Sequence, residues 1–197
     1  MGLKMNVYDF DGTIYKKDSS VEFYKYAVRV KPWLLLQYLP KQVFAIIKYK
    51  LSLVTKEEMK ETYFSFLKSI TASRILDDFA DHELANVNEW YLEQRLADDI
   101  IISASPEFLV RAFARKLGVT NVIASKVDIS TGAYSGKNCH GKEKVIRLYH
   151  EFPEAVIDNF YSDTASDIYL AQRAKHAFMV KKNKISEWEV FENERNG

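Results

Sequence analysis

The segment Asp9-Phe10-Asp11-Gly12-Thr13 follows an apolar run that starts at Leu3, a pattern that predicts a short β-strand ending in an acidic turn. Two carboxylates at a strand end are costly to bury unless a metal ion or hydrogen-bond donors satisfy them. Magnesium would suit the segment because it prefers hard oxygen ligands, and Gly12 would let the backbone approach an anion closely. For this segment alone, the alternative is an ordinary acidic turn that caps a helix.

The chain changes character after this strand. No glycine occurs from residue 19 to residue 97, and apolar side chains recur at helical spacing. The segment Leu34 to Tyr49 predicts one helix, or two that separate near Pro40, and Thr55-Lys56-Glu57-Glu58 has the sequence of a capping box. Further helices are expected from residue 21 onward, over 56–67 and over 73–96. This stretch therefore predicts a helical insertion.

Strand-like and helical segments alternate after Asp99. The expected strands cover residues 100–102, 119–124, 155–160 and 177–180, and the expected helices cover 108–117, 144–149 and 168–174, with a hairpin or loop over 127–134. Such alternation predicts an α/β fold with a doubly wound, mainly parallel, Rossmann-like sheet. We expect an α/β catalytic core of residues 1–13 and 99–197, and an inserted α-helical cap domain of residues 14–98. The carboxyl ends of the strands, where such sheets bind ligands, would share one edge.

A hydroxyl group follows the strand that is expected to begin at Ile100. Ser103 could donate to a phosphate oxygen alongside the backbone amide of Ala104. The alternative is a helix cap, because Ser105 before Pro106 is a favourable helix start. We expect Ser105 to be the N-cap and Ser103 to bind the ligand.

Lysines stand at the expected start of the helix after Gly141. A lysine at this position opposes the helix dipole, and an anionic ligand would relieve the misfit. Lys142 and Lys144 are both candidates, and a solvated charged turn is the alternative.

Two aspartates follow the expected strand 155–160. Asp163 could complete a metal site, and Asp167 could hydrogen-bond to a ligand of the metal. The competing interpretation is that Asp163 or Thr164 is an ordinary N-cap. Carboxylates, a hydroxyl and a lysine at one sheet edge are together typical of phosphoryl transfer.

In this order, Asp9-Phe10-Asp11-Gly12-Thr13, Ser103, Lys144 and the pair Asp163/Asp167 resemble the motifs of the haloacid dehalogenase superfamily. The helical insertion between the first two motifs resembles the phosphoserine phosphatase-like branch. The segments around Ser103, Lys144 and Asp163 look most like a bacterial subgroup that includes phosphatidylglycerophosphatase-like enzymes, and this alignment favours Lys144 over Lys142.

The resemblance implies a role for each motif residue. Asp9 would be the nucleophile that takes the phosphoryl group as an aspartyl-phosphate, and Asp11 would be the acid and base, which requires a raised pKa. Mg²⁺ would be held by the side chains of Asp9 and Asp163 and by the backbone carbonyl of Asp11. Asp167 would orient Lys144 or a metal-bound water, and the insertion would be a cap that selects the substrate. The substrate-binding residues would be Gly12, Thr13, Ser103, Ala104 and Lys144.

These roles predict a magnesium-dependent phosphomonoesterase that acts on a small or amphiphilic phosphate ester. A phosphoserine phosphatase is one alternative; its zwitterionic substrate would need a paired acid and base in the cap, for which Glu22 and Arg29 are candidates. A non-catalytic, membrane-peripheral phosphate-binding module is the other.

The number and distribution of charged residues indicate which classes of partner the chain can bind. The 28 Lys and Arg residues nearly balance the 27 Asp and Glu residues, and a net charge of +1 disfavours nucleic acid. From 21 to 56, however, seven basic residues and one acid lie among large apolar side chains, whereas 57–99 holds four basic and eleven acidic residues. The basic half suits weak peripheral contact with an anionic membrane surface. The alternative is that its apolar face packs inside the cap.

Cys139 is the one cysteine of the sequence, so an internal disulfide is excluded and a reducing compartment is favoured. The N-terminus lacks the apolar run of a secretory signal, and we expect no membrane-spanning helix. These features predict a cytoplasmic protein, either free or in peripheral contact with a membrane, as a monomer or a dimer.

Overall fold

The chain forms a six-stranded sheet with strand order β3-β2-β1-β4-β5-β6. A computed structural model describes residues 3–188, so the ends of the expected core at 1–2 and 189–197 lie outside the described residues. The strands are β1 (Leu3–Tyr8), β2 (Ile100–Pro106), β3 (Asn121–Ser125), β4 (Ala155–Ser162), β5 (His176–Lys181) and β6 (Lys184–Glu187). Strands β1 to β5 are parallel, and β6 pairs antiparallel with β5. The predicted mainly parallel α/β fold is confirmed.

Helices cover both the insertion and the faces of the sheet. They are α1 (Ser19–Val30), α2 (Trp33–Lys50), α3 (Lys56–Phe64), α4 (Ala72–Glu83), α5 (Glu89–Gln94), α6 (Glu107–Leu117), α7 (Lys142–Glu151) and α8 (Ile168–Ala171). Short 3₁₀ turns cover Ser65–Ser69, Leu84–Asn86 and Ala165–Asp167. Helices α1 to α5 all lie between β1 and β2 in the chain. Within residues 3–188, no helix combines the length and apolarity needed to cross a bilayer.

Local sequence explains where several helices begin and end. The predicted capping box is present at α3, where Thr55 accepts from the Glu58 amide and Glu58 accepts from the Thr55 amide. Asp18 caps α1 by accepting from the amide of Val21 at 3.0 Å. Helix α6 ends as expected at Gly118, which adopts the left-handed conformation.

Of the two alternatives for the segment Leu34 to Tyr49, the structure has the single helix, because α2 runs through Pro40. The carbonyl of Leu36 loses its helical partner there, but Leu36 lies on the exposed face, where water can solvate it. One local expectation was wrong: Ser105 is not the N-cap of α6. It belongs to β2, its hydroxyl donates to Asp11, and the helix starts after Pro106 without a side-chain cap.

Alternation along the strands builds an apolar cluster on each face of the sheet. One cluster lies beneath α7 and α8 and includes Val7, Leu148 and Phe160. The other cluster joins the sheet and α6 to the insertion through neighbouring aromatic rings. The ring centroid of Phe79 lies 5.2 Å from that of Phe23 and 5.8 Å from that of Phe113. The insertion therefore shares a core with the α/β part.

The strand order reverses at β1, which lies between β2 and β4 while the chain enters β2 long before β4. Open α/β sheets bind ligands beyond the carboxyl ends of the strands at such a switch point. The motif that follows β1 lies at this point.

Candidate active site

The end of β1 places two aspartates over the switch point. Asp9 continues the ladder beyond β1, since its amide donates to the carbonyl of Tyr161 at 2.9 Å, and only 7% of the residue is exposed. The chain then turns back, with the amide of Tyr15 donating to the carbonyl of Phe10 at 2.9 Å. This turn holds Asp11 above the end of the sheet.

Gly12 brings the turn into contact with the β4 loop. Its φ is +74°, a conformation that L side chains rarely adopt, and a Cβ there would lie 2.1 Å from Oδ2 of Asp163. Glycine is therefore required twice, once by the backbone conformation and once by the approach of the Asp163 carboxylate.

Lys144 lies between two carboxylates in the buried centre of the site. Its Nζ is 2.7 Å from Asp9 Oδ1 and 2.6 Å from Asp167 Oδ2, and 2% of its side chain is exposed. Burial alone would lower the pKa of Lys144, but the charges of Asp9 and Asp167 overcome it and raise that pKa. The ammonium group is therefore held charged. Lys142 points elsewhere, with its Nζ 5.0 Å from the ring centroid of Tyr169.

Besides its contact with Lys144, the Asp167 carboxylate is held by a serine of β4. Its Oδ2 also accepts from the Ser162 hydroxyl at 2.9 Å. Oδ1 of the same group is buried, and no partner for it lies among the described residues. The contact with Lys144 agrees with the orienting role that the resemblance implies.

Asp11 sits in a different environment from Asp9. Its carboxylate accepts from the Ser19 amide at 2.8 Å and from the Ser105 hydroxyl. Burial and the charge of Asp18 raise the pKa of Asp11 to about 6, although both hydrogen-bond donors oppose the shift. A pKa near neutrality is what an acid that later becomes a base requires.

Ser103 and Ala104 lie near the end of β2, and Thr13 follows the two aspartates in the turn after β1. Ser103 is buried, and its hydroxyl oxygen accepts from the Ser105 amide at 3.0 Å, which leaves its own hydrogen free to donate. The β2–β3 pairing shifts register between Ser103 and Pro106, which places Ala104 in an irregular strand end. Thr13 is fully buried; its carbonyl accepts from the Asn88 side chain at 2.6 Å, and its hydroxyl has no partner within residues 3–188. Thr13 thus ties the turn to the insertion.

The side chains of Asp9 and Asp163 are close enough for a hydrogen bond between them. Burial and the charge of Asp167 raise the pKa of Asp163, against a hydrogen bond with Asp9. Burial also raises the pKa of Asp9, and Lys144 opposes that shift. A cation between the two side chains would favour both ionised forms, and their hard oxygens suit magnesium. In the part of the chain that the structure describes, no three His, Cys, Asp or Glu side chains form a metal cluster, so a backbone carbonyl or water would complete the set.

The sequence did not single out Lys60, which reaches the site from the insertion. Its Nζ donates to the Ala104 carbonyl and to Asn138 Oδ1, both at 2.9 Å. Burial and the nearby charge of Lys56 lower the pKa of Lys60 to about 8. No local pattern marks this lysine, because its partners are distant in sequence. Ser105 was noticed, but as a helix cap.

A model of the haloacid dehalogenase-like hydrolases matches residues 7–172 of the chain. The sequence is 31% identical over 185 residues to Protein CicA of Caulobacter vibrioides, covering 81% of this chain and 78% of that protein. The fold is similar to that of a protein with unknown function from Bordetella pertussis Tohama I, with a TM-score of 0.73, 16% identity, and coverage of 90% of this chain and 89% of that one. It is also similar to a substrate-bound phosphoserine phosphatase, with a TM-score of 0.58, 14% identity, and coverage of 90% and 85%. The two structural likenesses show a shared fold.

Proposed function

This chain belongs to the haloacid dehalogenase-like hydrolases, and from that premise we propose that it is a magnesium-dependent phosphomonoesterase that works through an aspartyl-phosphate. The observation that carries the proposal is the buried arrangement of Asp9 against Lys144, with Asp11 close by at a pKa of about 6. This arrangement supports the proposal because a buried carboxylate, a fixed positive charge and a carboxyl group with a pKa near neutrality lie together.

In the first half-reaction a carboxylate oxygen of Asp9 attacks phosphorus, and the bond from phosphorus to the ester oxygen breaks. Protonated Asp11 gives its proton to the departing alkoxide. In the second half-reaction Asp11, now ionised, takes a proton from water, whose oxygen attacks the phosphoryl group and restores the Asp9 carboxylate. The products are an alcohol and inorganic phosphate.

Lys144, Ser103 and the amide of Ala104 bind the phosphoryl oxygens, where negative charge grows in the transition state, and Gly12 lets the backbone approach them closely. Asp167 keeps Lys144 in place. Thr13, also expected among the substrate-binding residues, acts here by holding the turn.

The magnesium ion would be held by the side chains of Asp9 and Asp163 and by the Asp11 carbonyl. When bound, it supplies positive charge that offsets the charge of the phosphate and keeps both carboxylates ionised. Because burial raises the pKa of both Asp9 and Asp163, a bound cation would offset the cost of ionising them.

Helices α1 to α5 serve as the cap in this proposal, with residues 14–98 as its limits. Lys60 supports this role because it joins the insertion to the strand end that carries Ser103. The substrate is a small or amphiphilic phosphate ester. Phosphoserine is a less favoured substrate. Its amino group would need a free carboxylate, whereas Glu22 forms an ion pair with Lys25 at 2.7 Å. The single buried Cys139 supports a reducing, cytoplasmic location.

Hydrolysis of p-nitrophenyl phosphate, with magnesium and with a chelator, tests the proposal. We expect turnover that requires the metal and disappears in Asp9→Asn, while Lys142→Met, on the same helix as Lys144, keeps it. Turnover without metal, or ordinary turnover by a clean Asp9→Asn preparation, would overturn the mechanism. A folded protein without turnover of any phosphate ester would favour the non-catalytic phosphate-binding module.

A further inference from the structure

Helix α2 packs through one side only. It has 18 residues and is therefore about 27 Å long. Leu34, Tyr38, Gln42 and Ala45 form its buried side. Two hydrogen bonds fix this side to the rest of the insertion: Tyr38 Oη lies 2.6 Å from Ser69 Oγ, and the Gln42 side chain donates to the Tyr63 carbonyl at 3.0 Å. The orientation of the helix is thus determined by polar as well as apolar contacts.

The opposite side of α2 is apolar and faces solvent. Leu36 is 83% exposed and Phe44 is 58% exposed. We call the following exposed apolar residues of the helix the outer face: Trp33, Leu35, Leu36, Leu39, Val43, Phe44, Ile46 and Ile47. Single exposed apolar residues are common on proteins, but a contiguous face along a whole helix marks an interaction surface. The expectation that the apolar residues here pack inside the insertion therefore holds only for the buried side.

The charge around the outer face has one sign. No acidic residue occurs from 31 to 56, while Lys41, Lys48 and Lys50 lie on the helix itself. Among the residues that the structure describes, no ion pair involves these three lysines. Lys48 instead lies over the Phe44 ring, 4.7 Å from its centroid. The occupant of the face therefore has to be apolar and to carry negative charge at its edge.

We propose that the outer face of α2 docks on an anionic lipid bilayer, with the helix lying in the plane of the membrane surface. Apolar side chains would enter the acyl boundary while the lysines reach the headgroups. Trp33 and Tyr49 are both exposed, and their amphipathic rings suit the headgroup level at which a helix in the membrane plane would lie. A second copy of the chain is disfavoured, because two outer faces packed together would bring lysines against lysines.

Docking of α2 on a bilayer would also determine which substrates reach the site. Through the Gln42 contact, α2 packs beside α3, and α3 carries Lys60 to the strand end at the site. This step rests on the proposed phosphatase activity: the substrate is an amphiphilic phosphate ester held in the same bilayer. Binding itself does not depend on that activity.

Vesicle flotation tests the docking. The full chain is mixed with phosphatidylcholine vesicles, with or without phosphatidylglycerol, at about 20 mM and about 500 mM salt. We expect flotation with the anionic vesicles, weakened at high salt. Leu36→Gln/Phe44→Gln should reduce the bound fraction about tenfold or more. The matched control is Leu96→Gln/Ile146→Gln, which changes residues that are 53% and 61% exposed on other parts of the surface and should float like the unaltered chain.

Circular dichroism and thermal melting of each variant separate loss of binding from loss of fold. No flotation of the unaltered chain at low salt, or equal flotation of both double variants, would overturn the proposal. A concentration-dependent dimer that Leu36→Gln/Phe44→Gln abolishes, without vesicle binding, would assign the face to self-association instead.

The catalytic step is tested separately. Asp9→Asn should float normally, so failure of the proposed function leaves the docking result unaffected. With an active protein, Leu36→Gln/Phe44→Gln should hydrolyse p-nitrophenyl phosphate normally but lose at least about tenfold on phosphatidic acid, a lipid phosphomonoester, in vesicles. Equal loss on both substrates, or turnover of the soluble ester alone by the unaltered chain, would overturn the bilayer substrate.

Discussion

Replacement of Lys144 by Met tests the electrostatic centre of the site. The substitution keeps an unbranched side chain of similar length but removes a charge that is 2% exposed and lies 2.7 Å from Asp9 and 2.6 Å from Asp167. Breaking a buried ion pair from one side costs about 3 to 5 kcal/mol, because the remaining charge is left without compensation. For a chain of this size that corresponds to a fall in Tm of about 6 to 20 °C.

The pH dependence gives the sign of the effect. In the unaltered chain burial raises the pKa of Asp9, and Lys144 is the main opposing influence. Without Lys144, burial and the charge of Asp167 act together, so the folded-state pKa of Asp9 rises further above its unfolded value. Such a group destabilises the fold when ionised, and the cost falls as pH drops through the folded pKa. The deficit of Lys144→Met should therefore be larger at about pH 8 than at about pH 5.5.

Urea unfolding at both pH values, with Lys142→Met as the control, measures this effect. Lys142 belongs to the same helix turn but contacts the Tyr169 ring instead of a carboxylate, so its loss should change the free energy of unfolding by less than about 1 kcal/mol. Turnover should fall by at least about 10³-fold in Lys144→Met alone. Equal stability of the two variants, or a deficit that grows toward low pH, would mean that Lys144 does not compensate the buried carboxylates.

Three further substitutions have specific expected outcomes. Asp11→Asn keeps a carbonyl oxygen to accept from the Ser19 amide but has no proton to exchange, so steady-state turnover should fall about 10² to 10⁴-fold with little change in Tm; unchanged turnover would remove Asp11 as the acid and base. Gly12→Ala should lower both stability and magnesium affinity, because the added Cβ would collide with Asp163. Thermal melting and metal titration measure these two effects, and a variant with unchanged stability and unchanged affinity would contradict the described turn. Lys60→Met should raise KM more than it lowers kcat, whereas Lys68→Met, on the adjoining turn of the insertion, should alter neither. Equal effects of the two substitutions would mean that Lys60 does not connect the insertion to the site.

The sequence predicted the parts of this molecule that depend on local pattern. Apolar runs that end in polar residues located β1, β2 and β4, and parallel strands bring such ends to one edge regardless of their separation in the chain. The Thr55 capping box was predictable because all of its hydrogen bonds lie within four residues. The resemblance to a known family rested on these same strand ends, and the match over residues 7–172 confirms it.

Tertiary contacts account for what sequence alone did not reveal. Ser105 has the sequence context of an N-cap, but its hydroxyl contacts Asp11, far along the chain. Lys60 is an ordinary helical lysine until the fold brings it to Ala104. The outer face of α2 could not be distinguished from a buried one by periodicity, because apolar residues surround most of that helix. The antiparallel pairing of β6 with β5 was likewise missed, since its four residues are all exposed.

The most direct test of the mechanism is detection of the phosphorylated protein by peptide mass spectrometry after acid quench. The experiment uses Asp11→Asn with p-nitrophenyl phosphate. The p-nitrophenolate group departs without a proton, whereas hydrolysis of the aspartyl-phosphate still needs a base, so the phosphorylated protein should accumulate. We expect one phosphoryl group on the peptide that contains Asp9, and none when Asp9→Asn is added. Release of phosphate by the doubly substituted chain, or a phosphoryl group on a different peptide, would contradict it.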